Sequence, residues 1–253
     1  MFDEIAAGKR SRVHRRTVPS VRMTPAVLAA ALTLPLAGKT VAIDPGHNGG
    51  NAAHAAEIAR LVDAGTLRKP CDTVGASTDD GYAEHAYNLD VSLRLARVLR
   101  AEGARVVLTR ATDTGWGPCI TRRAAIGNRA HADAAISIHA DGGPPTGRGF
   151  HVIYPPSIRG LTDDIAVASR RLALDVRSAF RRGTSEPYST YAGRAGLDVR
   201  SDLGGLNLSD VPKVFVETAN MRNAWDAARL RSAAYRQREA AALGRGLAAF
   251  LQR

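Results

Sequence analysis

Short apolar runs that end in a chemically able side chain recur along this chain, with helical segments between them. Val41-Ala42-Ile43 leads into Asp44 and, past Pro45-Gly46, into His47. The run from Ala134 to Ile138 ends at His139, and Val214-Phe215-Val216 ends at Glu217. Runs of this length with several β-branched residues read as buried strands. Between them, residues such as Leu89, Leu93, Ala96 and Leu99 stand at helical spacing. Strands alternating with helices predict an α/β fold: a single domain with a mostly parallel (mixed), twisted sheet flanked by helices. Ligands in such sheets bind beyond the carboxyl ends of the strands. His47, His139 and Glu217 all belong at that edge, and Glu84 opens the helix that follows the first loop.

In more detail, strands are expected over 39–44, 105–109, 134–139, 150–154 and 213–217, and helices over 84–102, 120–131, 162–182 and 233–251. Gly103 stops the first helix. Asp163 and Asp164 fall at the start of the third, where the helix dipole favours negative charge. Residues 47–81 and the Gly/Ser-rich stretch 183–210 read as loops.

The net charge is +11, unevenly spread. Residues 1–38 carry six basic side chains against Asp3 and Glu4, followed by an apolar run from Ala26 to Leu36. That order resembles a secretory signal, so residues 1–38 are expected to be a signal-like segment and 39–253 the folded domain, exported to the periplasm or cell wall. Arg15-Arg16 hints at a twin-arginine signal, and His14 falls in the same segment. No apolar run reaches the roughly 18 residues of a membrane span. A basic surface favours polyanions, but no nucleic-acid motif accompanies it, and no nucleic-acid partner is expected. In an exported chain the two cysteines, Cys71 and Cys119, are expected to form a disulfide.

Two histidines and a carboxylate recur as a ligand set for catalytic zinc and leave a position for water. A further carboxylate beside the ion can carry the proton to a leaving amine. The residues alone therefore point to metal-assisted hydrolysis of an amide or ester.

Several segments, in register, resemble one family. Val41 to His47, Glu84-His85-Ala86-Tyr87-Asn88-Leu89, Val107 to Arg110 with Asp113, Arg123, Asn128, Ala132-Asp133, Ser137 to Ala140, and Val214 to Thr218 are similar to the motifs of zinc-dependent N-acetylmuramoyl-L-alanine amidases. The resemblance covers about residue 40 to the C-terminus. It implies one zinc ion on His47, Glu84 and His139, and Glu217 as the catalytic acid and base. It implies cleavage of the amide between N-acetylmuramic acid and the L-alanine of the peptidoglycan stem. Asp141, Asn207 and Ala219-Asn220-Met221 depart from the family's usual residues, which bears on substrate contacts rather than on the metal set. Only residues 155–161 separate the fourth strand from the next helix, too few for the blocking helix that some members insert. A monomer that needs no activator is therefore expected.

The remaining residues carry weaker readings. Asn88, Asp141, Arg148 and Arg200 are candidate substrate contacts, the arginines for stem-peptide carboxylates. Asp44 is expected to support the site, either by fixing the backbone or by accepting the second N–H of a ligand histidine. His85 is a competing ligand beside Glu84, whereas His54, His131 and His151 read as structural or exposed. Two other functions remain open on the residues: a zinc peptidase acting within the stem peptide, and a wall-binding module without catalysis.

Overall fold

The structure, a computed structural model, describes residues 34–253. Six strands form one mixed sheet: β1 (Thr40–Pro45), β4 (Arg105–Leu108), β5 (Ala134–Asp141), β6 (His151–Tyr154), β7 (Leu197–Val199) and β8 (Lys213–Asn220). Their spatial order is β4-β1-β5-β8-β6-β7. The first four in that order run parallel, and β6 pairs antiparallel with β8. A hairpin of β2 (Leu61–Asp63) and β3 (Arg68–Pro70) stands apart from the sheet. The helices are α1 (Ala55–Ala59), α2 (Glu84–Ala101), α3 (Ile120–Arg129), α4 (Ala166–Thr184), α5 (Gly204–Asn207), α6 (Ala224–Arg231) and α7 (Ala233–Leu251). The single mostly parallel α/β domain expected from the alternating pattern is what the chain forms.

The two faces of the sheet have different jobs, and the period-2 alternation of a strand separates them. Val41, Ile43, Ile136, Ile138, Val214 and Val216 are fully buried and pack with α2, α4 and α7 in the main core. The intervening residues Asp44, Ser137, His139, Phe215 and Glu217 line a cavity on the opposite face. In α2 the same division falls along the helix. Val91, Leu95 and Leu99 pack into the core, while Glu84 begins the helix at the site.

The expected elements are all present, with changed ends. The third long helix starts at Ala166, not at 162, and has no acidic residue in its first turn. Thr162 Oγ1 accepts from the Ile158 amide and an Asp163 carboxylate oxygen from the Gly160 amide. These side chains hold a turn of their own ahead of the helix. The stretches read as loops also contain the hairpin, α1, β7 and α5. β2 is mostly exposed and three residues long, so it carries no apolar alternation. At the N-terminal side, the compact unit begins at Leu34. Leu36 is fully buried, and its amide donates to the Glu102 carbonyl. The boundary expected at residue 39 thus falls just after a turn that is part of the core, and the rest of the signal-like segment lies outside the described residues.

Behind the site, buried polar groups tie the helices to the strands. The Thr218 hydroxyl donates to the His139 carbonyl and lies 2.6 Å from the Tyr87 hydroxyl, which donates to Glu239 on α7. Nearby, Tyr235 donates to Glu186, which also pairs with Arg229. Burial, with Asp226 beside it, pushes the Glu186 carboxyl up to about 7. The folded state therefore holds this proton more tightly than the unfolded chain, so its stabilising effect is present at acid pH and is lost as pH rises through about 7. Glu186→Gln is expected to shrink the drop in melting temperature between pH 5 and pH 8. An identical drop in variant and wild type, by thermal denaturation at both pH values, would remove Glu186 as its source.

Candidate metal centre and active site

His47 lies two residues past β1, in the turn after Pro45-Gly46. Its φ of 55° is in the left-handed region, unusual for a residue with a side chain. The turn is held from outside: Arg123 donates to the carbonyls of Pro45 and His47, at 2.6 and 2.9 Å. The His47 Nδ1 lies 2.9 Å from the Thr73 carbonyl, which makes Nδ1 the protonated nitrogen and leaves Nε2 free to ligate. Glu84 is the first residue of α2 and His139 stands on β5. Their side chains converge: the Glu84 Oε1 is 3.2 Å from His47 Nε2 and 2.8 Å from His139 Nδ1. One ligand atom from each of the three lies within 4.8 Å of the others. Among the described residues no other group of His, Cys, Asp and Glu meets that condition.

Two glycines make the convergence possible. A Cβ on Gly46 would sit 2.1 Å from the His139 ring. A Cβ on Gly75, at φ +87°, would lie 2.7 Å from the His47 ring and 2.8 Å from Glu84 Oε2. The Ala76 amide donates to that same oxygen at 2.7 Å, and Asn88 donates to Oε1. Burial alone would favour a neutral Glu84. The two imidazoles and these donors instead hold its carboxyl well below the ordinary range. Phe215 stacks on the His139 ring at 3.9 Å.

Glu217 lines the same cavity, and its Oε2 is buried without a hydrogen-bond partner. Burial, and then the carboxylates of Glu84 and Asp141, push its carboxyl well above the usual range. An unpartnered carboxyl facing three convergent ligand groups is suited to exchange a proton with something bound in the cavity.

Arg123 organises the rest. Buried on α3, it pairs with Asp44 at 3.0 Å and with Asp72 at 2.9 Å. Asp44 also takes the Thr109 and Ser137 hydroxyls. Of the two expected roles it takes the backbone-fixing one: it holds Arg123, which donates to the Pro45 and His47 carbonyls, and it does not serve a ligand histidine. The carboxylate near His47 is Asp72, 3.4 Å from Nδ1. Asp72 follows Cys71, which is bonded to Cys119 at the start of α3, so the expected disulfide anchors the loop that carries it.

The other expected site residues divide. Asp141 lines the cavity. Asn88 is fully buried and bonds to Gly46 and Glu84, so it supports a ligand from behind. Arg148 pairs with Glu186 and Asp226 and stacks on Trp225, away from the cavity. Arg200 forms a two-pronged pair with Asp202, and its charge still acts on Glu217. His85 turns to Asp113 at 2.7 Å and does not join the ligands. His151, expected to be structural or exposed, is structural in its placement. It stands directly across from Glu217 in the β6–β8 pairing, buried, with Nδ1 unpartnered. Its only sequence signal was a position at the start of an expected strand.

An α/β sheet with a His/Glu/His group fit for a metal at its carboxyl edge, and a buried carboxyl facing it, defines a hydrolase-like class. Residues 41–249 match the Amidase_3 family, N-acetylmuramoyl-L-alanine amidase, and the chain belongs to that family. It is 42% identical over 231 residues to the N-acetylmuramoyl-L-alanine amidase Rv3717 of Mycobacterium tuberculosis, covering 90% of this chain and 93% of that protein. It is 28% identical to the amidase LytC of Bacillus subtilis, covering 90% of this chain and 39% of LytC. The fold superposes on the N-acetylmuramyl-L-alanine amidase Ami1 of Mycobacterium smegmatis with a TM-score of 0.80, at 44% identity, over 85% of this chain and 98% of that one.

Proposed function

We propose that this peptidoglycan amidase is zinc-dependent and cuts the amide between the lactyl group of N-acetylmuramic acid and L-alanine. The observation that carries the reading is the convergence of His47, Glu84 and His139 around one point, with the unpartnered Glu217 in the same cavity. The donor set fits zinc: two imidazoles and one carboxylate, with the histidine tautomer of His47 fixed by Thr73. Bound there, zinc would polarise the scissile carbonyl and acidify a water.

The protein's own groups do the rest. Glu217 takes the proton of the attacking water and delivers it to the departing alanine nitrogen. Asp72, Thr73 and Arg123 keep His47 aimed at the centre. Phe215 holds the plane of the His139 ring. Asp141 and Arg200, through their charges near Glu217, bias when its proton is released. The enzyme acts outside the cytoplasm, where its substrate lies, as a monomer without an activator. No helix among the described residues is long and apolar enough to cross a membrane.

Removal of metal with a chelator is expected to abolish release of stem peptides from purified peptidoglycan, and zinc to restore it. Mass spectrometry of the products checks the bond: intact stems beginning with L-alanine support the reading. Shortened stems on uncut glycan would make the enzyme a peptidase, and undiminished activity after chelation would remove zinc from the mechanism.

A further inference from the structure

The cavity that holds the metal ligands continues to a buried cation that the reaction does not use. Lys213 begins β8, is only 3% exposed, and lines the same cavity, whose volume is about 340 Å³. Its Nζ has a single acceptor among the described residues, Asp44 Oδ2, at 3.4 Å. That is longer than the 2.7–2.9 Å typical of a charge-assisted N–H to carboxylate bond. An ammonium carries three donors, and burial without partners is costly for it. Asp44 is moreover already engaged by Arg123, Thr109 and Ser137. The lysine's charge helps keep Asp44 ionised, but one long contact leaves the other donors of its ammonium without an acceptor among the described residues. Around Nζ the backbone is bare: a Cβ on Gly205 would come no closer than 3.5 Å to it and would meet nothing else within 4 Å.

We propose that Lys213 is a specificity residue that binds a carboxylate of the substrate's stem peptide. The inference rests on the amidase reading above and names a subsite within it. Lys213 and Glu217 point to the same face of β8, and the Lys213 ammonium reaches Asp44, which lies in register with Ser137 and Phe215, so it sits nearer Glu217 than the four-residue backbone spacing. The group that reaches Lys213 is therefore close to the cut bond, and the nearest free carboxyl is that of the second stem residue. The walls between are apolar on one side, with Phe215, Leu203 and Ile120, so an anion there finds its partner in the lysine and little water to compete.

The test compares two muropeptides that differ only at the second stem residue, with a free or an amidated carboxyl. The zinc-loaded full chain is expected to prefer the free acid by about tenfold in kcat/KM, mainly through KM, as for the loss of one charged hydrogen bond. Lys213→Met is expected to bring the ratio near one. Because both substrates are measured on the same preparation, the ratio does not depend on the fraction folded. Gly205→Ala, which keeps the charge and adds one methyl beside Nζ, is expected to reduce the preference as well. A wild type that does not discriminate, or a preference that survives in both variants, overturns the subsite while leaving the amidase reading intact. Failure to cleave either muropeptide would reject that reading and the subsite with it.

Discussion

Glu217→Gln is expected to lower kcat by about 10²–10⁴-fold, the range for losing a positioned acid and base, with zinc content and melting temperature unchanged. Glutamine keeps the shape of the side chain and the fill of the cavity but cannot take or give the proton. The Glu217 Oε2 has no partner in the folded protein, so the substitution breaks no hydrogen bond at that oxygen. Loss of activity without loss of stability is the signature of a group kept for chemistry. Metal analysis and thermal denaturation of the same preparation separate the cases. Wild-type turnover in this variant would dispose of the assigned role, and a loss of zinc would make Glu217 a ligand instead.

The largest structural effect is expected from Arg123→Met. The guanidinium bridges Asp44 and Asp72 and donates to the carbonyls of Pro45, His47, Gly117 and Pro118. Without it Asp44 and Asp72 remain buried with a shared cation gone, leaving Lys213 alone beside Asp44, a loss on the order of 3–5 kcal/mol. The left-handed turn at His47 also loses its outside support. Zinc affinity is therefore expected to fall together with stability. Arg123→Lys restores the charge but not the planar fork, so it is expected to recover only part of either. Denaturant unfolding and a zinc titration of both variants check this. A methionine variant as stable as the wild type, with unchanged zinc affinity, would show that the turn stands on its own.

Much of this site was legible in the residue order, and the reason is local. His139 and Glu217 end apolar runs, and a strand's end in a parallel sheet is already a position in space. Glu84 opens a helix whose spacing is plain to see. Such features depend on a few neighbouring residues, and together with the family resemblance they singled out the candidate ligand set before any coordinates; the disulfide partners are the chain's two cysteines.

Other features were misplaced or missed where the partner lies far away in sequence. Asp44 reads from the sequence as a support for the site, with the backbone or a ligand histidine as its partner. Its oxygens turn to Arg123, Thr109 and Ser137, which arrive from three other elements. Arg148 reads from the sequence as a partner for a stem-peptide carboxylate, yet it lies on Trp225 beside two buried carboxylates. His151 faces Glu217 only through the antiparallel register of β6 on β8. No periodicity records a register between strands more than sixty residues apart.

The residue order by itself determined the alternation of strand and helix, the mostly parallel sheet, and which three side chains are candidates to hold a metal, with Glu217 as the carboxylate beside them. Folding alone decided that Asp72 rather than Asp44 stands behind His47, that His47 turns Nε2 toward Glu84, and that Lys213 looks into the cavity. The physical reason is range. Backbone preference and apolar spacing act between near neighbours, whereas hydrogen bonds and charges at a site act between groups that only the packed sheet and its loops bring within a few ångströms.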